Sequence, residues 1–392
     1  MTKKTRQFSD ETRVTVLGRD PHTNFGVVNP PVYHASTILY PTYEALKNYD
    51  YPATPYGRMG TPGTLALEHA ICELEGAFGC RLCPSGQAAI SAALLAVLKS
   101  GDHLLMVDSV YEPVRMFVDY VLKRQGIEIT YYDPTIGAGI EELMTDKTAI
   151  IFAESPGSLT FEVMDLPAIA KVAHAHGALV LFDNTWGTPL MFNAFQHGAD
   201  VSIHALTKYV AGHADCMMGA INYTKTVAPR IEKTYRGLGL CVGPDDAYLA
   251  LRGLRTMSVR LKQHEASGLK IAAWLSAREE IARVLHPAIP SDPSHALWKR
   301  DFSGSNGLFG VEFKAAPEKQ LAAFCNALKL FAMGFSWGGY ESLIVPSDLS
   351  KSRVATKDLP KGPLFRLHVG LESPDDLIAD LERGFAAFHA AS

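Results

Sequence analysis

Five short, almost wholly apolar runs separated by helical stretches constrain the fold of this chain more than any other feature. They are His103 to Val107, Ile127 to Tyr132, Ala149 to Ala153, Ala178 to Phe182 and Val201 to Leu206. A strand without polar alternation is buried on both faces, and helices between successive strands supply the crossovers of a parallel sheet. The expected class is therefore α/β, with a large domain whose mostly parallel sheet is covered by helices. Upstream, Leu65, Leu67, Ile71 and Leu74 recur at helical steps from Thr64, ending near Gly76 and Gly79. Residues 1 to 60 are rich in Pro, Tyr, Thr and Asn without a sustained period, and read as an extended arm that needs a surface to lie on.

Downstream, Asp245 to Ala277 reads as one helix opened by Pro244, with Asp245 and Asp246 in its first turn. Such a helix reaches about 50 Å and leads from one domain into another. Beyond it, Gly307 to Phe313, Leu343 to Val345 and Leu364 to Val369 read as strands, and Asp375 to Phe388 as a closing helix, giving a smaller C-terminal α/β domain. A chain of 392 residues suits this division into an arm (1–60), a large domain (61–255) and a small domain (256–392).

The bulk numbers exclude several classes. Apolar residues make up 47% and charged residues 20% of the chain, a balance that buries a large core. A net charge of −4 offers no excess of cations for a nucleic-acid backbone. Six scattered cysteines fit free thiols in a reducing compartment, so the cytoplasm is the expected location. The opening MTKKTRQFSDETR lacks the apolar stretch of a signal peptide, and no apolar run reaches the roughly 18 residues of a membrane span. Cys80-Arg-Leu-Cys83 has no second such pair, so no metal is expected there. His174 and His176 close a helix, and His204 reads as strand packing. The glycine-rich Gly57 to Gly63 follows no strand, so it is neither a dinucleotide fingerprint nor a phosphate loop.

In open α/β sheets ligands sit at the carboxyl ends of the strands, which makes the polar residues just after each apolar run the candidates. Four such places stand out: Asp183 after Phe182, Thr207 and Lys208 after Leu206, the turn Pro84-Ser85-Gly86-Gln87 opening a helix, and Tyr111 beyond Val107. Taken singly, the carboxylate is a helix cap, the lysine a solvated surface residue, and the turn and tyrosine ordinary structure. Together they supply what pyridoxal 5′-phosphate (PLP) needs: a Schiff-base lysine, a carboxylate for the pyridine nitrogen, a phosphate cradle at a helix N-terminus and a flat ring.

The motifs TPYGRMGTPG, ELEGAFGC, YEP, ESPGSLTFEV, DNTW, LTKYVAGHAD, RGLRTMSVRLKQH, FSWGGYESL and RLHVGLE run through nearly the whole chain. In these motifs the sequence resembles the Cys/Met-metabolism family of PLP enzymes, which implies fold type I, the PLP-dependent transferase-like fold. Carried over by position, the resemblance makes Lys208 the Schiff-base lysine and Asp183 the partner of the pyridine nitrogen. Tyr111 would stack on the ring, and Gly86, Gln87 and Thr207 would hold the phosphate. It implies that Tyr56 and Arg58 reach into a neighbouring subunit's site, in a homotetramer of two catalytic dimers. Arg366 would bind the substrate α-carboxylate through its planar fork, with Ser336, Trp337 and Tyr56 close by.

The implied reaction is β-elimination: Lys208 removes the Cα proton and the thiol on Cβ leaves, protonated by Tyr111 or Lys208. With L-cystathionine the products would be homocysteine, pyruvate and ammonia, as in methionine biosynthesis, and cysteine S-conjugates are further expected substrates. Three departures point to the β-lyase side of the family. Phe335-Ser336-Trp337-Gly338-Gly339 stands where many γ-acting relatives have Glu-Ser-Leu-Gly-Gly; Glu154-Ser-Pro-Gly-Ser158 lacks their Asn; and Ala205 replaces their serine. A γ-acting activity is the nearest alternative. A non-catalytic regulator is a weaker one, since no DNA-binding segment is appended.

Overall fold

The structure, a computed structural model, describes residues 8–50, 54–350 and 352–391. Residues 1–7 and 51–53 of the arm lie outside it. Seven strands form the larger sheet: β1 (Gly79–Cys83), β2 (His103–Val107), β3 (Glu128–Tyr132), β4 (Thr148–Glu154), β5 (Leu179–Asp183), β6 (Val201–Ala205) and β7 (Gly219–Tyr223). Their order is β1-β7-β6-β5-β4-β2-β3. The strands β2 to β6 pair in parallel, and β7 runs antiparallel between β1 and β6. The reversal into β7 means that residues 206–218 turn back at the carboxyl edge of the sheet, and Lys208 lies in that turn.

All five apolar runs are strands, and Leu104, Leu105, Ile150, Ile151, Val180 and Leu181 are fully buried. Two strands have no such run. In β1, Arg81 sits mid-strand and is paired with Glu68 (3.1 Å) and Glu232 (2.8 Å), so its strand character comes from tertiary partners. In β7, buried Asn222 interrupts the apolar pattern. The parallel strands are joined by covering helices, among them Gly86–Val97 and Leu166–Ala175.

A second sheet comprises β8 (Ile281–Leu285), β9 (Leu308–Phe313), β10 (Leu343–Ser347) and β11 (Leu364–His368), in the order β10-β11-β9-β8 and antiparallel throughout. Its core of Phe309, Phe313, Phe324, Phe365 and Phe385 is closed by the helices Glu318–Ala327 and Pro374–Ala390.

Two expectations are corrected. The single helix over 245–277 is two helices, Pro244–Leu254 and Met257–Ser276. The carbonyl of Gly253 accepts from Thr256 N (3.1 Å), Thr256 Oγ1 (3.2 Å) and Arg260 (2.8 Å), so the helical ladder stops there. The arm is not extended throughout either. Asp10–Val16 is helical and buries Val14, and Leu17 beyond it is buried too; Arg255 donates to the carbonyls of Val14 (3.0 Å) and Leu17.

One buried carboxylate ties the C-terminal part of the chain to the larger sheet. Asp108, just beyond β2, is fully buried and pairs with Arg115 at 2.6 Å. It accepts from Val354 N (2.9 Å), Ala355 N (2.8 Å), Thr356 N (2.7 Å) and Thr356 Oγ1 (2.8 Å). Burial pushes this carboxyl up, but the amides of Thr356, Ala355 and Val354 outweigh it and hold it below the usual range. Asp108→Ala leaves Arg115 without its carboxylate and three amides without an acceptor. It is expected to cost about 3–5 kcal/mol, seen as a lowered melting temperature, whereas a variant melting with wild type contradicts the clamp.

Candidate active site

The carboxyl edge of the larger sheet opens into a cavity of about 360 Å³, walled on the other side by residues of the second sheet. Three neighbouring parallel strands deliver polar groups to it: Glu154 ends β4, Asp183 ends β5, and the turn after β6 carries Thr207 and Lys208. Tyr111, beyond β2, lines it too, and its amide donates to Glu154 Oε2 at 2.8 Å. Arg366 enters from β11 of the second sheet, and Ser336 and Trp337 from the loop that precedes β10.

The Lys208 amine is the focus of this arrangement. Its Nζ donates to Ser336 Oγ at 2.6 Å and stands 5.3 Å from the centre of the Trp337 ring. Burial, followed by the nearby Arg366 guanidinium, pushes the amine down to about 8, with Asp183 opposing. Arg366 in turn donates to the carbonyl of Ser336 at 3.0 Å. Asp183 Oδ1 accepts from Thr185 N (2.9 Å) and Thr185 Oγ1 (2.5 Å). Burial raises Asp183 despite these bonds. A cationic ring nitrogen against it would favour the carboxylate again. Burial, with the Asp183 carboxylate beside it, pushes Glu154 well above the usual carboxylate range. Burial also raises Tyr111, keeping its hydroxyl a proton donor at neutral pH.

The opposite end of the cavity is built for a phosphate. Ser85 caps the helix Gly86–Val97 by accepting from Ala88 N at 3.0 Å. The amides of Gly86 and Gln87, in the first turn of that helix, have no acceptor among the described residues. A Cβ on Gly86 would come within 2.6 Å of the Ala205 Cβ, so only glycine lets this turn lie against β6. The buried Gln87 Oε1 also has no partner among the described residues. These features fit PLP: a cradle of free amides, a half-buried amine of lowered basicity and a carboxylate within one cavity.

Nine of the residues singled out in the sequence line this cavity: Gly86, Gln87, Tyr111, Asp183, Thr207, Lys208, Ser336, Trp337 and Arg366. The Thr207 hydroxyl is engaged with the residue just before β7, accepting from Met218 N at 2.9 Å and donating to Met218 O at 3.2 Å. Tyr56 and Arg58 are not part of it. Tyr56 is exposed, and Arg58 lies in a separate cleft with Arg81 and Arg236. His204 points to the reverse face of the sheet and bonds the buried Glu75 at 2.7 Å. Cys80 and Cys83 are buried free thiols, pushed up by burial. Glu154 and Thr185 had no assigned role, although the strand-end rule that found Asp183 also selects Glu154, directly after Ala153.

Residues 11–386 match the model of the family described as Cys/Met metabolism PLP-dependent enzyme. The chain belongs to this family. A Rhizobium johnstonii protein provisionally named cystathionine beta-lyase is 51% identical over 383 residues, covering 97% of this chain and 96% of that protein. The Escherichia coli cystathionine beta-lyase MetC is 42% identical over 386 residues, covering 96% and 98%. Among solved structures, cystathionine gamma synthase from Xanthomonas oryzae superposes with a TM-score of 0.91 at 28% identity, covering 98% of this chain and all of that one. The fold is thus that of the family's PLP enzymes, and PLP is the cofactor.

Two outcomes test the geometry. Gly86→Ala forces the turn off β6 and is expected to weaken PLP affinity at least about tenfold, read by titrating the apoenzyme while following visible absorbance; unchanged affinity contradicts the cradle. Arg366→Leu removes a cation that lowers Lys208, so the amine moves up towards its ordinary 10.5. The ascending limb of the kcat profile then shifts to higher pH; a limb that stays put shows that it reports another group.

Proposed function

We propose that this chain is a carbon-sulfur lyase that cleaves L-cystathionine by β-elimination, and that it also accepts other cysteine S-conjugates. The observation carrying this reading is the Lys208 amine held against Ser336 Oγ and flanked by Arg366 and Asp183, in a chain whose relatives named as β-lyases match over nearly its full length. Bound in the cavity, PLP supplies an electron sink for the charge that develops at the substrate Cα.

The chain's own residues do the rest. Arg366 pairs with the α-carboxylate and orients Cα–H towards Lys208. The Lys208 amine takes the Cα proton, and Asp183 keeps the ring nitrogen protonated. The Cα–H electron pair forms the Cα=Cβ bond as Cβ–S breaks, and Tyr111 or Lys208 delivers a proton to the departing sulfur. Homocysteine leaves, and water converts the remaining three-carbon fragment to pyruvate and ammonia.

The reading divides the chain into arm (1–60), PLP domain (61–255) and small domain (256–392), and places Tyr56 and Arg58 in the site of a neighbouring subunit within a homotetramer. It is supported by the absence of an arginine or lysine at the Gly86–Gln87 cradle among the cavity-lining residues other than Lys208 and Arg366. It is supported too by the apolar surface of the arm, where Phe25, Leu39, Tyr43 and Tyr49 are largely exposed. No helix among the described residues is long and apolar enough to cross a membrane, and the six cysteines are free, which supports a cytoplasmic location.

Product analysis with L-cystathionine is expected to give pyruvate and homocysteine; 2-oxobutyrate and cysteine as main products would mark a γ-acting enzyme instead. Lys208→Ala is expected to lower the rate by about 10³-fold or more. Subunit exchange tests the shared site. Mixing inactive Lys208→Ala and Arg58→Ala proteins regenerates one intact site per mixed dimer and restores activity, whereas a mixture no more active than its parents contradicts it.

A further inference from the structure

Ser336 touches one working group from each wall of the cavity, Lys208 and Arg366, yet its own backbone is strained. Its hydroxyl accepts from Lys208 Nζ and its carbonyl accepts from Arg366 at 3.0 Å. It adopts φ +79, a left-handed conformation that a serine leaves unless neighbouring contacts fix it. Gly338 follows at φ +85, packed so closely on Lys208 that a Cβ would lie 3.0 Å from the Lys208 Cα. Something must hold this loop in place.

The loop is gripped from β11 at two alternate positions. Arg366 and His368 are two residues apart, hence on one face of the strand. Arg366 takes the Ser336 carbonyl, while His368 Nε2 lies 3.2 Å from Gly338 N and 3.1 Å from Gly339 O. His368 is almost fully buried, and its ring packs 5.3 Å from His264 and 6.0 Å from Tyr209, the residue after Lys208. Burial, then His264, pushes it down to about 3, so the ring bonding the loop is neutral at working pH.

We propose that His368 is a positioning residue of the lyase, holding the 336–339 loop so that Ser336 Oγ stays on the Lys208 amine while its carbonyl orients Arg366. This rests on the function proposed above. In the PLP-loaded enzyme, His368→Leu keeps the bulk and removes the bond. It is expected to lower kcat by at least about tenfold, since misplacement of a reacting group by an ångström costs up to roughly 10²-fold. His368→Gln, which still reaches the loop backbone with an amide, should restore kcat to within about threefold of wild type. Because His368 acts through Ser336, the Ser336→Ala/His368→Leu double variant should lose no more than the worse single variant.

Unchanged kcat in the leucine variant, no rescue by glutamine, or additive losses in the double variant each overturn the proposal. Should the leucine variant fail to fold, His368→Asn, too short to reach the loop, takes its place under the same criteria. Failure of the underlying reading is separate: it shows as wild-type enzyme that does not release pyruvate.

Discussion

Drawing a lysine amine partly out of water at the carboxyl edge of a parallel sheet is the constraint around which this molecule is organised. Desolvation alone disfavours the cation, and the adjacent Arg366 adds repulsion, so the amine is neutral far more readily than a surface lysine. Such an environment needs two walls. The larger sheet supplies Asp183, Glu154 and the helix N-terminus at Gly86; the second sheet supplies Arg366, and the loop before β10 supplies Ser336 and Trp337. Lys208 sits between the two, touching Ser336 on one side and facing Asp183 on the other. Cross-links close to the cavity hold the two together, including Trp186 Nε1 to the Leu308 carbonyl (3.2 Å) and Asn306 Nδ2 to the Trp186 carbonyl (2.9 Å).

Much of this architecture can be read in the amino-acid order, because the strands that form the site are buried on both faces and advertise it by unbroken apolar runs. The polar residue ending such a run is where the chain leaves the sheet, which is why Asp183 and Lys208 stand out. What escapes this logic depends on partners distant in sequence. Strand β1 contains Arg81, whose charge argues against a buried strand until Glu68 and Glu232 are brought beside it. The break after Leu254 follows no proline. It arises because Arg260 and Thr256 compete for the Gly253 carbonyl.

The same distinction separates the site residues. Lys208, Asp183, Tyr111 and the Gly86 turn are visible from local pattern, whereas Arg366, Ser336 and Trp337 follow only from family resemblance, since their loop and strand carry no local mark of chemistry. Tyr56 and Arg58 form a third group. They stand apart from the cavity in their own chain, and only an assembly would bring them to one.

The Asp108 clamp has a temporal meaning as well as a mechanical one. Its carboxylate waits for amides about 246 residues further along the chain, and Lys208 waits 128 residues for Ser336. Closing loops of that length costs entropy that is recovered only after the distant segment exists and has folded. A chain emerging from the ribosome would therefore build its larger sheet with Asp108 held only by Arg115 and Lys208 open to water. Only when the last strand has been made does the lysine meet Ser336 and Arg366, so the acquisition of chemistry and the completion of synthesis become nearly one event.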